Sequence, residues 1–312
     1  MRNTVKVRWT ILVLATCGTW LSPAGAWASR KNTPFGELDD SCVTNVPRGG
    51  RVDLGKGEMD VDGKKVGVAA RCSEHVPACQ SAGGWYAWTW ANARNISGMN
   101  SYDYLSTSWT VPANPTPPIG DAPLEYFFPS LEAQSGGKSV AIIQPVMSWG
   151  YTAQEWEISS WGLFNCDAQC RCQAFKQGPV SGVYAGDLVD GSINLVGGSP
   201  DGWDIYIRDE TSGAWADLEV ANIPNSWPKF TTAQSAVNEN YGFNSCADLP
   251  PGGSITFNNI WIFQAGPTWD SFNDVRNSTS WAANANPKGL FPGCHWGATG
   301  STAYGMLNWS LR

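Results

Sequence analysis

The sequence has 312 residues, with 20 basic and 27 acidic side chains, two histidines and a formal net charge of −7. A surface of that sign repels phosphate backbones and anionic lipid, which argues against nucleic acid as a partner. Beyond the N-terminal segment considered next, no run approaches the roughly 18 apolar residues of a membrane-spanning helix, so we expect no membrane anchor.

Residues 1–28 have the pattern of a cleavable signal peptide. Three basic residues surround the start, Trp9–Leu21 is apolar, and Ala26-Trp27-Ala28 supplies the small residues of a cleavage site. Cleavage after Ala28 would remove three basic and no acidic residues, which takes the net charge from −7 to −10. We therefore predict a secreted, extracellular protein. Its candidate glycosylation sites are the Asn-x-Ser/Thr residues Asn95, Asn277 and Asn308.

Eight of the nine cysteines remain once Cys17 leaves with the signal peptide, and an even number in an exported chain indicates disulfides. Residues 29–99 hold three of them and the rest of the chain holds five, so full pairing requires at least one bridge between the two parts. Cys166, Cys170 and Cys172 are close enough in sequence to suggest a metal site. A second thiol pair and a nearby histidine are missing, so we interpret this trio as bridged and predict no metal and no cofactor.

The composition changes near residue 100. Residues 29–99 are turn-rich and contain a short charged hairpin at Val52–Val66, and we interpret them as an N-terminal extension or a propeptide. Residues 100–312 have the texture of a β domain, since short stretches of β-branched and aromatic residues alternate with glycine and proline turn signals.

About ten short strands are predicted, and no long segment keeps a helical period. Strands at this spacing favour an all-β fold, an antiparallel two-sheet β-sandwich of the concanavalin A-like or jelly-roll type, with the disulfide-tied extension at its N-terminus. The predicted strands are Tyr104–Val111, Leu124–Phe128, Ser139–Met147, Glu155–Trp161, Gly182–Ala185, Gly191–Val196, Trp203–Arg208, Trp215–Val220, Gln234–Tyr241 and Ser254–Phe263.

The histidines, carboxylates and tryptophans in the sequence limit which catalytic or binding functions are available to it. Serine or cysteine catalysis needs a histidine, and neither of the two stands in a recognisable motif. Glu155 and Glu157 would share one face of a strand, as in a glycoside hydrolase, but the Glu-x-Asp-x-x-Glu motif expected there is absent. Trp149 and Trp156 could stack on sugar rings, so a non-catalytic, lectin-like carbohydrate-binding module with a glycan partner stays an alternative.

Five segments resemble, in order, the landmarks of the glutamic peptidases called eqolisins. That family has a strand ending in Val-Pro, a Trp-Val-Gly-Ile-Asp-Gly segment, an Ile-Leu-Gln element, a Gly-Asp turn and a strand ending in glutamate. The resemblance covers about half the chain, from Ser106 to Phe263. The matching segments are Ser108–Pro112, Phe128–Glu132, Ala141–Gln144, Gly186-Asp187 and Ala236–Glu239.

This resemblance implies a lectin-like sandwich and an acid endopeptidase with a polypeptide substrate. Gln144 matches the catalytic glutamine and Glu239 the catalytic glutamate, while Glu132 stands where the family has aspartate. An ionised Glu239 would take a proton from the attacking water and later return it to the leaving amine. Gln144 would orient that water and donate a hydrogen bond to the developing oxyanion.

Overall fold

The computed structural model describes residues 30–69, 71–80, 85–94, 100–116, 124–150, 154–196, 202–223, 229–243, 245–265, 272–285 and 294–311. Within them the chain is almost entirely β-strand, with one helical turn, α1 (Pro77–Gln80), and three short 3-10 turns. Two sheets pack face to face, which confirms the predicted all-β sandwich. The predicted signal peptide lies outside the described residues. None of the described helices is long and apolar enough to cross a membrane.

The strands are β1 (Arg30–Thr33), β2 (Gly36–Asp39), β3 (Val43–Asn45), β4 (Gly50–Asp53), β5 (Glu58–Val61), β6 (Lys64–Val68), β7 (Trp85–Asn92), β8 (Tyr102–Thr110), β9 (Leu124–Ser135), β10 (Lys138–Gly150), β11 (Glu155–Phe164), β12 (Gln173–Val183), β13 (Leu188–Val196), β14 (Gly202–Asp209), β15 (Trp215–Ala221), β16 (Phe230–Tyr241), β17 (Ser254–Ala265), β18 (Phe272–Asp274), β19 (Ala282–Ala285), β20 (Cys294–Gly300) and β21 (Tyr304–Leu311).

The first sheet has eight strands in the order β19-β7-β16-β9-β10-β11-β12-β3. The second sheet has eleven, in the order β20-β21-β17-β8-β13-β14-β15-β4-β5-β6, with β18 beside β17. Strand neighbours run antiparallel except for two short parallel pairs, β12 with β3 and β15 with β4. The hairpin β1-β2 belongs to neither sheet.

Side-chain alternation sets the two faces of the first sheet. Ile143 on β10 and Ile193 on β13 share the core between the sheets, and a Cβ on Gly191 of β13 would lie 3.0 Å from the Pro145 ring. Because successive side chains of a strand point to opposite sides, Gln144 points away from the second sheet. We call that side the outer face of the first sheet.

Eight of the ten predicted strands are confirmed within four residues at each end, Leu124–Phe128 is confirmed as the first five residues of the longer strand β9, and the tenth is wrong. Gly182–Ala185 is the end of β12 followed by a turn, in which the Asp187 amide donates to the Tyr184 carbonyl at 3.0 Å. The Asp187 carboxylate accepts from the Tyr184 amide at 2.7 Å, which closes the turn. A carboxylate can replace a strand partner in this way, and the strand pattern alone does not reveal it.

The N-terminal segment, residues 30–80, is attached to both sheets. Its strand β3 extends the first sheet beside β12, and its strands β4, β5 and β6 form one edge of the second. The predicted bridge between the extension and the sandwich is confirmed, and the cysteine trio is fully bridged. The disulfides are Cys42–Cys72, Cys79–Cys170, Cys166–Cys172 and Cys246–Cys294.

The C-terminal part of the predicted extension, residues 29–99, contains a strand of the sandwich itself. β7 lies between β19 and β16 in the first sheet, with Trp88 opposite Val237. The sandwich therefore includes Trp85–Asn92, although the compositional change predicts its start near residue 100. Ala87 of this strand packs in the core between the sheets, whereas Trp85 and Trp88 pack on the outer face of the first sheet.

Candidate functional site

The structure places Gln144 and Glu239 on the same face of the same sheet. Gln144 lies on β10 and Glu239 on β16, and β9 runs between these two strands. Tyr126, the β9 partner of Glu239, belongs to the buried cluster on the outer face, as do the neighbours Ile142 and Val146 of Gln144. Both predicted catalytic side chains therefore project from the outer face of the first sheet.

The strand register nevertheless keeps the two side chains apart. Glu239 pairs with Tyr126, which pairs with Ser148 on β10, four residues beyond Gln144. Four residues along a strand and two strand spacings across it separate the two Cα atoms by roughly 16 Å. At this separation the Gln144 and Glu239 side chains do not hydrogen-bond to each other.

Glu239 is fully buried in a cluster of aromatic side chains. Trp85 Nε1 donates to its Oε2 at 3.2 Å, and the Tyr241 hydroxyl donates to its Oε1. Burial raises the pKa of Glu239 well above its usual range, although both hydrogen bonds oppose this shift. The neutral acid is favoured, whereas a general base must be ionised.

The N-terminal segment lies over this cluster. The Tyr126 hydroxyl donates to the Asn32 carbonyl at 2.8 Å, and the Tyr126 and Tyr241 rings meet edge to face at 6.2 Å between centroids. Phe35 packs against Trp161 at 5.8 Å in the same way. Glu239 has no exposure to solvent in this arrangement.

Gln144 has a different neighbourhood. The register runs unbroken from Ile143 opposite Leu131 to Met147 opposite Phe127, which puts Gln144 opposite Ser130. The side chain is fully buried, and neither amide atom has a hydrogen-bond partner among the described residues. Such a buried amide lacks the hydrogen bonds that interior polar groups normally make.

A carboxylate and a carboxamide do meet elsewhere on this face. Gln234 Nε2 on β16 donates to Glu132 Oε2 on β9 at 3.2 Å. The Ser139 hydroxyl donates to the other Glu132 oxygen, and the Ser130 hydroxyl donates to Gln234 Oε1 at 2.7 Å. The two functional groups are therefore held in a fixed relative orientation.

This pair lines an open groove of about 420 Å³. Trp85, Trp88 and Trp90 of β7 form its apolar wall, and Glu132 and Gln234 lie on its floor. Although each is more than nine-tenths buried, the groove gives both a route to solvent. The tryptophan wall supplies apolar contact surface, and the polar floor supplies fixed hydrogen-bonding groups, which are the two components of a small binding site.

Gln144 does not line this groove, but it lies next to the groove in the sheet. Ser130 is paired with Gln234 on one side and lies opposite Gln144 on the other. Glu132 pairs with Ile142, so Gln144 is its diagonal neighbour, at a Cα distance of about 7–8 Å. The Glu132 carboxylate thus contacts one amide, that of Gln234. A second amide, that of Gln144, is near enough to be reached by an extended side chain or through one water molecule.

Sequence reasoning singled out Glu132 only as the residue in the place of the family's aspartate, and it passed over Gln234. The available signal was a glutamate and a serine two residues apart in the otherwise apolar part of β9, Tyr126–Ala133. Their partner on β16 follows only from the register, which a single sequence does not contain.

Neither family models nor curated proteins match this sequence. Among solved structures, the chain is similar to scytalido-glutamic peptidase with a transition state analog inhibitor, at 11% identity and a TM-score of 0.44. A second structure, of the same peptidase with a peptide based transition state analog, gives 11% and 0.45. SCP-B, a member of the eqolisin family of peptidases, in a complex with the tripeptide Ala-Ile-His, gives 11% and 0.44. Each comparison covers 73% of this chain and 98% of the other.

The tryptophans proposed as sugar-stacking platforms are buried. Trp149 is 2% exposed and Trp156 is fully enclosed, and the two rings meet edge to face at 5.2 Å in the core between the sheets. The stacking role assigned to them is therefore wrong, because both rings are already covered by neighbouring side chains. Each contributes burial of a large apolar surface instead.

Glu155 and Glu157 share the outer face of β11, as their spacing predicts. Burial raises the pKa of Glu157, Lys176 opposes that shift, and Glu155 adds to it. Glu157 pairs with Ser148 and Glu155 with Gly150, at the opposite end of the sheet face from Glu132. No described contact joins them to the Glu132 groove.

Proposed function

We propose that this protein is a secreted acid endopeptidase of the glutamic type. The observation that carries the proposal is the contact between the Glu132 carboxylate and the Gln234 carboxamide on the floor of an open groove. The resemblance of the five sequence segments to the eqolisins supports the acid range and the polypeptide substrate. Four disulfides and the signal-peptide pattern support secretion.

In this proposal Glu132 is the general base. Its ionised carboxylate takes a proton from a water molecule as the water oxygen attacks the scissile carbonyl carbon. The resulting carboxylic acid then gives that proton to the leaving amine nitrogen as the C–N bond breaks, which restores the carboxylate. The Ser139 hydroxyl orients the carboxylate for both transfers.

The carboxamides supply the electrostatic part of the mechanism. Gln234 Nε2 has two hydrogens, of which one is directed at Glu132, so the other can be donated to the developing oxyanion. The Ser130 hydroxyl fixes the amide by donating to its oxygen. Gln144 keeps its predicted role as an oxyanion and water partner, now beside Glu132, and Glu239 remains the alternative base.

The test compares hydrolysis of a denatured protein substrate across pH 2 to 7 by the wild type and four variants. We expect Glu132→Gln to lose about 100-fold or more of kcat, the usual contribution of a general base. Gln234→Ala and Gln144→Ala should each lose about 100-fold, as when one oxyanion donor is removed. Glu239→Gln should stay active.

Glu155→Gln is the matched control, because it makes the same change on the same face outside the groove. Thermal unfolding of every variant separates lost catalysis from lost folding. Loss of activity in Glu239→Gln but not in Glu132→Gln would assign the base to Glu239. Normal turnover by both would refute the glutamic type, and a folded wild type without cleavage, even after acid incubation, would refute the peptidase.

A further inference from the structure

A second groove of about 420 Å³ lies on the opposite side of the molecule, on the outer face of the second sheet. It crosses the strands β17, β8, β13 and β14, each of which is hydrogen-bonded to a strand on both sides. A peptide main chain therefore cannot be added here as a further strand. Any ligand must be recognised through its side chains.

Tyr104, Tyr206 and Trp261 are the aromatic residues that line this groove, and small residues lie between Trp261 and Tyr206. Trp261 pairs with Ser106, Ser106 with Ser192, and Ser192 with Tyr206, so the four residues form one row across four strands. Three strand spacings put the two aromatic residues about 14 Å apart. The space between them is wide enough for long side chains to lie flat on the serine floor.

One end of the groove carries negative charge. Asp190 and Glu210 line it, and Arg208 Nε lies 3.6 Å from Glu210 Oε1. One guanidinium between two carboxylates leaves a net negative charge at this end. Burial and the nearby Glu210 raise the pKa of Asp190, whereas Arg208 lowers it, so an added cation would favour the ionised form.

Aromatic rings on this face already bind guanidinium groups of the chain itself. The Arg276 guanidinium lies 3.4 Å from the Trp261 ring centroid, and Arg48 lies 3.9 Å from that of Trp215. Asp274 holds Arg276 in place with hydrogen bonds of 2.6–3.0 Å, which fixes the indole. Trp261 still exposes 44% of its surface. A fixed, exposed ring beside carboxylates is suited to a further cation.

We propose that this groove binds arginine or lysine side chains of an extended polypeptide. The aromatic rings take the cationic heads and the stems, and Asp190 and Glu210 supply the compensating charge. The acidic chain, with a net charge of −7, steers basic segments toward the surface. The groove and Glu132 lie on different sheets, so its occupant leaves the proposed catalytic groove free. The inference does not depend on the peptidase function.

The experiment measures fluorescence anisotropy of a labelled peptide of about eight residues in which glycine and arginine alternate, at pH 7 and low salt. A peptide that alternates glycine and glutamate is the probe of opposite charge. We expect Trp261→Ala and Asp190→Asn each to weaken binding of the arginine peptide about 3- to 10-fold. Affinity should fall as salt rises from about 20 to 200 mM.

Two control variants remove the same kinds of side chain, an aromatic ring and a carboxylate, at positions outside the groove. Tyr184→Ala removes a more exposed aromatic ring, and Glu219→Gln removes a carboxylate from the same sheet face. Both should change the affinity less than 2-fold. Because Trp261→Ala could disturb folding, Asp190→Asn carries the test independently. Equal binding of the two peptides, unchanged binding in both groove variants, or no binding at about 1 mM would overturn the proposal.

Discussion

Asp204 on β14 lies beside two other carboxyl groups, Asp217 and Glu219 of β15. Burial raises its pKa to about 8, and a hydrogen bond with Asp217 and repulsion from Asp217 and Glu219 add to the shift. At neutral pH the folded protein therefore holds a proton at this pair that the unfolded chain releases. The contribution of protonated Asp204 to the free energy of unfolding is fully present below the pKa of the unfolded chain, near 4. It is lost as the pH rises toward 8.

We expect Asp204→Asn to remove this pH dependence, because asparagine cannot ionise but can still donate a hydrogen bond to Asp217. At pH 4 the variant should match the wild type, and at pH 8 it should be more stable by about 1 kcal/mol after allowance for partial solvent exposure. Urea unfolding at pH 4, 6 and 8 measures the difference. A stability change of equal size at all three values would contradict the prediction.

The polar residues of the proposed catalytic groove cannot be recognised as functional from their individual sequence positions. Glu132, Ser130 and Gln234 are ordinary polar residues in their strands, and none follows a motif that marks a base or an oxyanion donor. Their hydrogen bonds arise because β9 and β16 are neighbours in one particular register. A shift by one residue would turn Gln234 into the core between the sheets.

At the level of elements, the two sheets approach each other closely where β21 crosses β7 and β16. Gly305 of β21 has no side chain, and a Cβ there would lie 2.8 Å from Ser235 Oγ and 2.9 Å from Thr89 Oγ1. These two hydroxyls also hydrogen-bond to each other at 2.7 Å between β16 and β7. The glycine lets the sheets meet without breaking that bond.

We expect Gly305→Ala to destabilise the protein by about 1–3 kcal/mol, the usual cost of inserting a methyl group into a packed core. The lost free energy of unfolding can be measured in urea. Gly213→Ala is not a suitable control, because Gly213 has φ +78° and an alanine there would be strained. The control is Ala303→Gly, at an exposed turn of the same hairpin. An unchanged midpoint for Gly305→Ala would show that the sheets can separate slightly at no cost.

The strand predictions succeed where one face is buried and fail where the pattern is interrupted. β14 and β15 alternate strictly between core and solvent, and both were predicted within one residue at each end. β12 was missed over most of its length because Gly178, Pro179 and Gly182 break its alternation. Glycine and proline normally indicate a turn, yet here the flanking strand β11 continues to pair past them through register shifts.

For the whole molecule, the disulfide Cys79–Cys170 fixes how the N-terminal segment is attached. It closes a separation of 91 residues, which in the chain-entropy model is worth about 4–5 kcal/mol. The strands β3 and β4, through which the segment joins the two sheets, form only three register pairs each with the sandwich strands β12 and β15. The covalent bridge is therefore the strongest single link between the segment and the sandwich.

Cleavage at a protease site inserted between Gln80 and Trp85 should leave the segment attached. A denaturing gel without reductant should show one band and a gel with reductant should show two. In the double variant Cys79→Ser/Cys170→Ser, two bands should appear without reductant. Release of the segment from the wild-type sequence without reductant would contradict the disulfide assignment.

The sequence by itself determined the properties that depend on local pattern and on counting. Alternation and turn residues gave the β-sandwich, and the odd numbers of cysteines in the two parts required a bridge between them. Only the tertiary structure decided which polar side chains meet, because contacts across a sheet depend on strand order and register. It placed Glu132 beside Gln234, separated Gln144 from Glu239, and enclosed Glu239 under the N-terminal segment. Burial of that kind results from packing between distant segments, which no single stretch of sequence encodes.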